Sequence, residues 1–230
     1  MSVVKMFNAK NCTLKTLNKC IKYITNDKKS NQEYIGGIGV DLNSPYEDMV
    51  LIKSLHRKLS GRQHIHWMCS YETQNTLELC KVKELATEIA EYFSNGFQMV
   101  WATHINTEHY HTHFVVNTVN VYSGRKFSQS QSDLRRLKEF VNMKFAEYAI
   151  DLIDDFEIEE VDDDFYDTFL EDFDDTILDE YEGEAINEML PMQPMVTFEM
   201  VGFNNERLLM GKVDLSKPHS MVSFDMVYFE

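Results

Sequence analysis

Val100-Trp101-Ala102-Thr103-His104-Ile105-Asn106-Thr107-Glu108-His109-Tyr110-His111-Thr112-His113-Phe114-Val115-Val116-Asn117 holds four of the chain's eight histidines within ten residues. The run from Phe97 to Thr103 is mostly apolar and β-prone, and Tyr110 to Val121 is rich in Val, Thr, Phe and Tyr. Two antiparallel strands meeting through Ile105 to His109 are therefore predicted. Side chains alternate faces along a strand, so His111 and His113 project from one face. His104, at the end of the partner strand, can lie opposite them and bring a third imidazole to the same point. Neutral imidazole binds divalent transition metals, and three protein ligands leave coordination positions for a substrate oxygen, whereas a closed four-ligand site is structural. The pattern thus points to a catalytic metal site on His104, His111 and His113. His109 sits on the turn and by parity need not face it.

Working outward, the order β-α-β-α-β-α-β-β-α is expected over residues 1–150. Ser2 to Phe7 alternates as a strand, and Thr13 can cap a helix with Leu14, Leu17, Ile21 and Ile24 on its apolar stripe. Tyr23 falls one position off that stripe, where an amphipathic boundary tyrosine is the ordinary outcome. Gly36-Gly37-Ile38-Gly39-Val40-Asp41 reads as a strand with close backbone packing, since no phosphate-loop pattern follows its glycines. Ser44-Pro45 opens a helix with Met49, Ile52, Leu55 and Leu59 as its stripe, ended by Gly61. Arg62 to Tyr71 is a strand that places His64, His66, Met68 and Ser70 on one face; beside the Phe97 strand, His66 would reach the metal cluster or a substrate phosphate. Thr76 to Phe93 is a long helix closed by Asn95-Gly96, Ser123-Gly124 a turn, and Ser132 to Ile150 a helix with Leu134, Leu137, Val141, Phe145 and Tyr148 inward. One hairpin among several helices implies an α+β fold, a central antiparallel or mixed sheet flanked by helices.

The net charge of −16 hides a division: residues 1–150 carry 19 Lys+Arg against 14 Asp+Glu, residues 151–230 carry 3 against 24. The histidine-bearing part is therefore mildly basic and suited to phosphates despite the acidic total. Three parts are expected: a histidine-bearing domain over 1–150, an acidic amphipathic segment over 151–190, and a small β-rich appendage over 191–230. Within the acidic segment Tyr166, Phe169, Leu170, Phe173 and Ile177 make an apolar helical stripe that should dock on something. Met195 to Gly202, Arg207 to Asp214 and Ser220 to Phe229 alternate as a three-stranded meander. Cys12, Cys20, Cys69 and Cys80 show no paired spacing and are expected as free thiols. No apolar run approaches the roughly eighteen residues of a membrane span, and the first residues lack a signal-peptide core, so a cytoplasmic location is expected.

Residues 1–150 resemble the relaxase, or mobilisation nuclease, branch of the HUH endonucleases. The stretch from Thr103 to Asn117 resembles that family's metal-binding motif, with ligands at His104, His111 and His113. Lys22-Tyr23-Ile24-Thr25-Asn26 resembles the motif that supplies a nucleophilic tyrosine, and His66-Trp67-Met68-Cys69-Ser70-Tyr71 the middle motif; the tyrosine also precedes the histidines, as in relaxases. Asn106 stands where the family commonly has an aspartate; it can hydrogen-bond but holds no charge. The resemblance implies Tyr23 as nucleophile, with Tyr34 the fallback, and His66, Asn106 and Asn117 around the ligands or against substrate. It implies a divalent metal cofactor, magnesium or manganese first and zinc as the other choice. The implied partner is single-stranded DNA at an origin of transfer, along with accessory relaxosome proteins. Lys22, Lys28, Lys29, Arg125, Lys126, Arg135 and Arg136 are the group expected to track the strand. A relaxase-like domain that only binds DNA or a partner is the alternative, and a hydrolase using water a second; neither forms a covalent protein–DNA species.

Overall fold

The computed structural model describes residues 2–9, 12–72, 78–107, 109–161 and 165, and toward the C-terminus the strands at 196–199, 209–213 and 224–226. The chain divides into two compact units, Met1–Phe173 and Asp174–Glu230. In the first, the strands are β1 (Val3–Ala9), β2 (Ile35–Ile38), β3 (His64–Ser70), β4 (Phe97–His104), β5 (His111–Asn120) and β6 (Phe156–Val161). The helices are α1 (Leu14–Ile24), α2 (Pro45–Leu55), α3 (Leu79–Ser94) and α4 (Gln131–Glu147). The expected element order holds through α4, and the sheet is mixed, in the order β2-β4-β5-β3-β1-β6. Neighbours are antiparallel except β1 and β6, which are parallel.

Helices cover both faces. On one, α3 and α4 bury Val82, Leu85, Ile89, Leu137, Val141 and Phe145 against Trp67, Phe114, Val116, Met99 and Trp101. On the other, α1 and α2 bury Leu17, Cys20, Ile21, Ile24 and Met49 against Val100, Ala102 and Val115. Strand alternation puts His104, His111 and His113 on this second face, with Val100, Ala102 and Val115. α1 starts where expected, the Thr13 hydroxyl accepting from the Thr16 amide at 3.2 Å. α4 begins with a capping box between Ser130 and Asp133. At the end of α3, Asn95 lies at φ 37°, a left-handed conformation that closes the helix ahead of Gly96. Gly36 is a close-packing site: a Cβ there would lie 2.2 Å from Cζ2 of Trp101, its partner across β4.

Four local expectations are corrected. β3 lies against β5, with His64 opposite Asn117 and Met68 opposite His113, and not beside the Phe97 strand. α2 ends at Leu55, and Leu55 is exposed, so the expected Met49, Ile52, Leu55, Leu59 stripe is not its buried face. That face is Met49 and Lys53, four residues apart on the helix. The Lys53 ammonium is fully buried and donates to the Gln63 carbonyl at 2.6 Å and to Asn117 Oδ1 at 2.5 Å. The acidic stretch after residue 150 contributes a sixth strand, β6, paired along β1 at the sheet edge, with Lys5 Nζ 2.9 Å from Glu159 and 3.8 Å from Glu157. α3 starts at Leu79, three residues later than the pattern indicated.

In the second unit, β7 (Val196–Glu199), β8 (Leu209–Val213) and β9 (Phe224–Met226) form the expected antiparallel meander, with shorter strands than the alternation suggested. The proposed apolar helix bearing Tyr166, Phe169, Leu170, Phe173 and Ile177 lies outside the described residues. None of Cys12, Cys20, Cys69 and Cys80 is in a disulfide. Among the described residues no helix is long and apolar enough to cross a membrane.

Candidate metal centre and the tyrosine beside it

Across the β4–β5 hairpin, His104 pairs with His111 and Ala102 with His113, so the first ring faces the other two. The three ring centroids form a triangle with sides of 4.5, 5.1 and 5.1 Å. One nitrogen from each can be drawn from a set lying within 4.8 Å of one another. Burial dominates their ionisation: His104 is pulled down to about 3, and His111 and His113 lie below the usual imidazole range, burial first and neighbouring charges after it. Neutral rings are the metal-binding form.

Hydrogen bonds settle which nitrogen each ring offers. A carbonyl can only accept, so His104 Nε2, 3.0 Å from the Ile24 carbonyl, carries its proton and leaves Nδ1 with the lone pair. His111 Nδ1 lies 3.2 Å from the His109 carbonyl, which leaves Nε2. His113 Nδ1 is 2.8 Å from His66 Nε2, and His113 Nε2 is buried with no hydrogen-bond partner. A buried, unpartnered ring nitrogen facing two other imidazoles is costly unless something binds it. The donor set therefore fits a divalent ion with neutral nitrogen ligands.

Tyr23 lies on α1 with its ring edge-on to the histidines. Its centroid is 5.4 Å from that of His113, 5.6 Å from His104 and 6.2 Å from His66. It is 7% exposed, so it is a buried residue of the site and not the boundary tyrosine its helical position suggested. Burial pushes its phenol up to about 12, with Cys20 and Glu159 adding to the shift. The Lys29 ammonium sits 3.9 Å from the ring centroid. Phe7 stacks on His66 at 4.2 Å, and Phe165 lies 5.5 Å from Phe7 and 6.1 Å from Tyr23.

The other expected site residues distribute unevenly. His66 does join the triad, through His113 and from the β5 side. Asn106 is exposed in the turn, and the nitrogens behind His104 and His111 are met instead by backbone carbonyls. Asn117 is on the histidine face but further along β5, its amide committed to Lys53, Gln98 and the Met49 carbonyl, so it ties α2 to the strand. Lys22 is on α1, and Lys28 and Lys29 follow it. Lys126 pairs with Val119, six residues along β5 from His113 or about 20 Å at the strand rise, and Arg125 precedes it. Arg135 and Arg136 are exposed on α4, which packs on the opposite face. The carbonyls of Ile24 and His109 carry no sequence signal, because any residue type supplies them. Phe7 and Phe165 are ordinary apolar residues until the strand order places them.

Residues 23–150 match the family described as "Relaxase: MobA/VirD2-like, nuclease domain". Among curated relatives, a Protein rlx of Staphylococcus aureus is 22% identical over 135 residues, covering 58% of this chain and 39% of the relative. A second Protein rlx from that organism is 26% identical over 137 residues, covering 58% and 40%. The group II intron-interrupted relaxase LtrB of Lactococcus lactis is 29% identical over 77 residues, covering 33% of this chain and 14% of the relative. The matches to the Protein rlx relatives thus span about two fifths of those proteins' length. A solved chain described under "Molecular Basis of Vancomycin Resistance Transfer in Staphylococcus aureus" aligns over 69% of this chain and 96% of its own, at 13% identity and a TM-score of 0.41. With more than half of its residues matched to that nuclease domain, and the histidine triad assembled within the matched span, this chain belongs to the MobA/VirD2-like relaxase family.

Proposed function

We propose that this chain is a DNA relaxase that nicks one strand at an origin of transfer, for conjugative mobilisation, by attack of Tyr23 on a phosphodiester. The observation that carries the reading is a buried tyrosine edge-on to His104 and His113, two neutral imidazoles of the triad, the second of which has an unpartnered nitrogen. His104, His111 and His113 would hold a divalent ion, magnesium or manganese before zinc. When bound, that ion supplies Lewis-acid charge against the oxygens of the scissile phosphate. His66 supports the set by bonding the rear nitrogen of His113.

The chain's own part is positional. α1 fixes Tyr23 by burying Leu17, Ile21 and Ile24, and the Ile24 carbonyl bonds His104, so nucleophile and ligand share one backbone frame. The phenol enters protonated, since burial holds it up to about 12. As the Tyr23 Oη–P bond forms the phenol gives up its proton; as the P–O3′ bond breaks the leaving 3′ oxygen takes one. The product is a 5′-phosphotyrosyl bond and a free 3′-hydroxyl. Because the phosphodiester's energy is kept in that bond, a later 3′-hydroxyl can reverse the step and reseal the strand. Lys22, Lys28 and Lys29 lie on the tyrosine side of the sheet and are the cations suited to the entering strand. Accessory relaxosome proteins and a cytoplasmic setting belong to the same reading. The test is cleavage of a labelled, randomised single-stranded DNA pool with and without manganese. Metal-dependent nicking by the wild-type chain and none by Tyr23→Phe is expected; nicking that survives in Tyr23→Phe would assign the attack to another group.

A further inference from the structure

Phe165 comes from the chain beyond β6, and its ring lies against the tyrosine. Its centroid is 5.5 Å from that of Phe7 and 6.1 Å from that of Tyr23. β6 runs parallel to β1, with Glu159 opposite Phe7 and Val161 opposite Ala9, so the chain leaves β6 at the end of the sheet where Phe7 stands. The rings of His66, His104 and His113 that meet Tyr23 are carried by strands inside the sheet, whereas that of Phe165 is carried by the chain beyond its edge strand. Phe7 and Phe165 are both half-buried, and Phe7 is itself stacked on His66 at 4.2 Å with an interplanar angle of 20°.

The charge beside these two rings favours a base over a phosphate. By register and alternation, Lys5, Phe7, Glu157 and Glu159 share the histidine face. Lys5 Nζ is 2.9 Å from Glu159 and 3.8 Å from Glu157, so two carboxylates meet one ammonium and a negative charge is left over. A phosphate is repelled there. A nucleobase is flat and uncharged, and an aromatic side chain is the platform on which any base stacks. In the sequence Phe165 follows Asp162-Asp163-Asp164, so it is an aromatic ring on an acidic run, the same two features that a single DNA strand presents. We propose that Phe7 and Tyr23 border a stacking subsite for the nucleobase next to the scissile phosphate, and that Phe165 fills this subsite in the DNA-free chain. The proposal deepens the relaxase reading above and rests on it. A strand that brings a phosphodiester to Tyr23 brings the adjoining base to Phe7, and the Phe165 ring gives way. Affinity is lowered by the fraction of chains in which Phe165 occupies the subsite. Any base can enter, because stacking reads the face of a base and not its edge. A base inside a duplex cannot enter, because it is held in its own stack.

The test measures binding of the full chain, by fluorescence anisotropy without metal, to two labelled strands of equal length: oligothymidylate, and the same sugar–phosphate chain without bases. F165A should bind oligothymidylate about three- to tenfold more tightly than wild type, and the baseless strand within about twofold of it. F165W keeps a ring in the subsite and should stay within about twofold of wild type on both strands. F7L keeps apolar bulk but loses the platform; it should bind oligothymidylate about fivefold or more weakly, the low end of what one base on an aromatic ring contributes, and the baseless strand within about twofold of wild type. A gain for F165A of equal size on both strands would mean that Phe165 only obstructs the strand, and it overturns the proposal. So does oligothymidylate binding that is unchanged in folded F165A or in folded F7L, or an F165W that tightens as F165A does. Wild-type adduct formation from the randomised single-stranded pool with manganese is followed alongside. An active wild type without the base-dependent gain overturns this proposal alone. The base-dependent gain in a chain that forms no adduct from any sequence overturns the nicking reading and leaves a base subsite beside Tyr23.

Discussion

Lys53 should give the protein a stability that climbs with pH. Burial, with Lys126 adding, lowers this ammonium from 10.5 to about 7. The unfolded chain therefore holds the proton that the folded chain has released throughout that window, and stability rises as pH goes from about 7 to about 10.5. Below the window both states are charged and the folded state bears the whole cost; above it both are neutral. At 1.36 kcal/mol per unit the gain is about 3 to 5 kcal/mol, a large part of the stability of a domain this size. Lys53→Met removes the titration and leaves one acceptor short: the Gln63 carbonyl loses its lysine, while Asn117 Oδ1 still accepts from the Val119 amide at 3.0 Å. That orphan costs about 1–3 kcal/mol at every pH. The variant should thus be the less stable protein at pH 10 and should match or exceed wild type at pH 6. Urea unfolding of both proteins at half-unit steps from pH 6 to 10 measures the difference, titrating groups other than His64 and Lys126, which interact with Lys53, cancelling between them. A difference that stays flat across that range would show that Lys53 is not held in the interior as described.

Three further outcomes follow from the geometry. Gly36→Ala drives a Cβ into the Trp101 indole, 2.2 Å from Cζ2, and should cost about 1–3 kcal/mol by overpacking, visible as a lower thermal midpoint; an unchanged midpoint would mean the indole moves freely. His111→Ala should cut manganese affinity at least about tenfold, because two imidazoles hold a divalent ion far more weakly than three, while His109→Ala, whose carbonyl alone engages the site, should stay within about threefold. A chain ending at Phe173, where the first compact unit ends, loses 12 acidic and 3 basic residues and should bind nonspecific single-stranded DNA more tightly than the full chain at low salt, with the gap closing as salt rises. Superimposable binding curves from two folded chains would exclude competition by the acidic part.

The triad was legible because its geometry is local. Strand alternation fixed the common face of His111 and His113, and a short hairpin left His104 no place but opposite His111. Caps and turns were legible for the same reason, as at Thr13 and Asn95. What lies between distant segments was not. Nothing near His66 says that β3 sits beside β5, and its contact with His113 depends on that pairing. The pattern marked 151–190 as an acidic amphipathic helical segment, yet residues 156–161 pair along β1 as β6, with Lys5 beside Glu157 and Glu159. Lys53 reads as a solvent residue in any helical pattern, and its partners stand 10 and 64 residues away. The helical pattern alone makes Tyr23 a boundary residue, and only the family resemblance marked it as the nucleophile, because a helix by itself does not show that its next layer is a cluster of histidines.

The covalent bond itself tests the central claim most directly. The wild-type chain, incubated with the randomised single-stranded pool and manganese, is denatured in SDS, digested with nuclease and trypsin, and the peptide that retains a nucleotide is sequenced by mass spectrometry. The expected result is a single modified peptide carrying a 5′-phosphate on Tyr23, with a free 3′-hydroxyl on the released strand. A nucleotide on Tyr34 or another residue, a 3′-linked adduct, or nicked DNA with no modified peptide would contradict it.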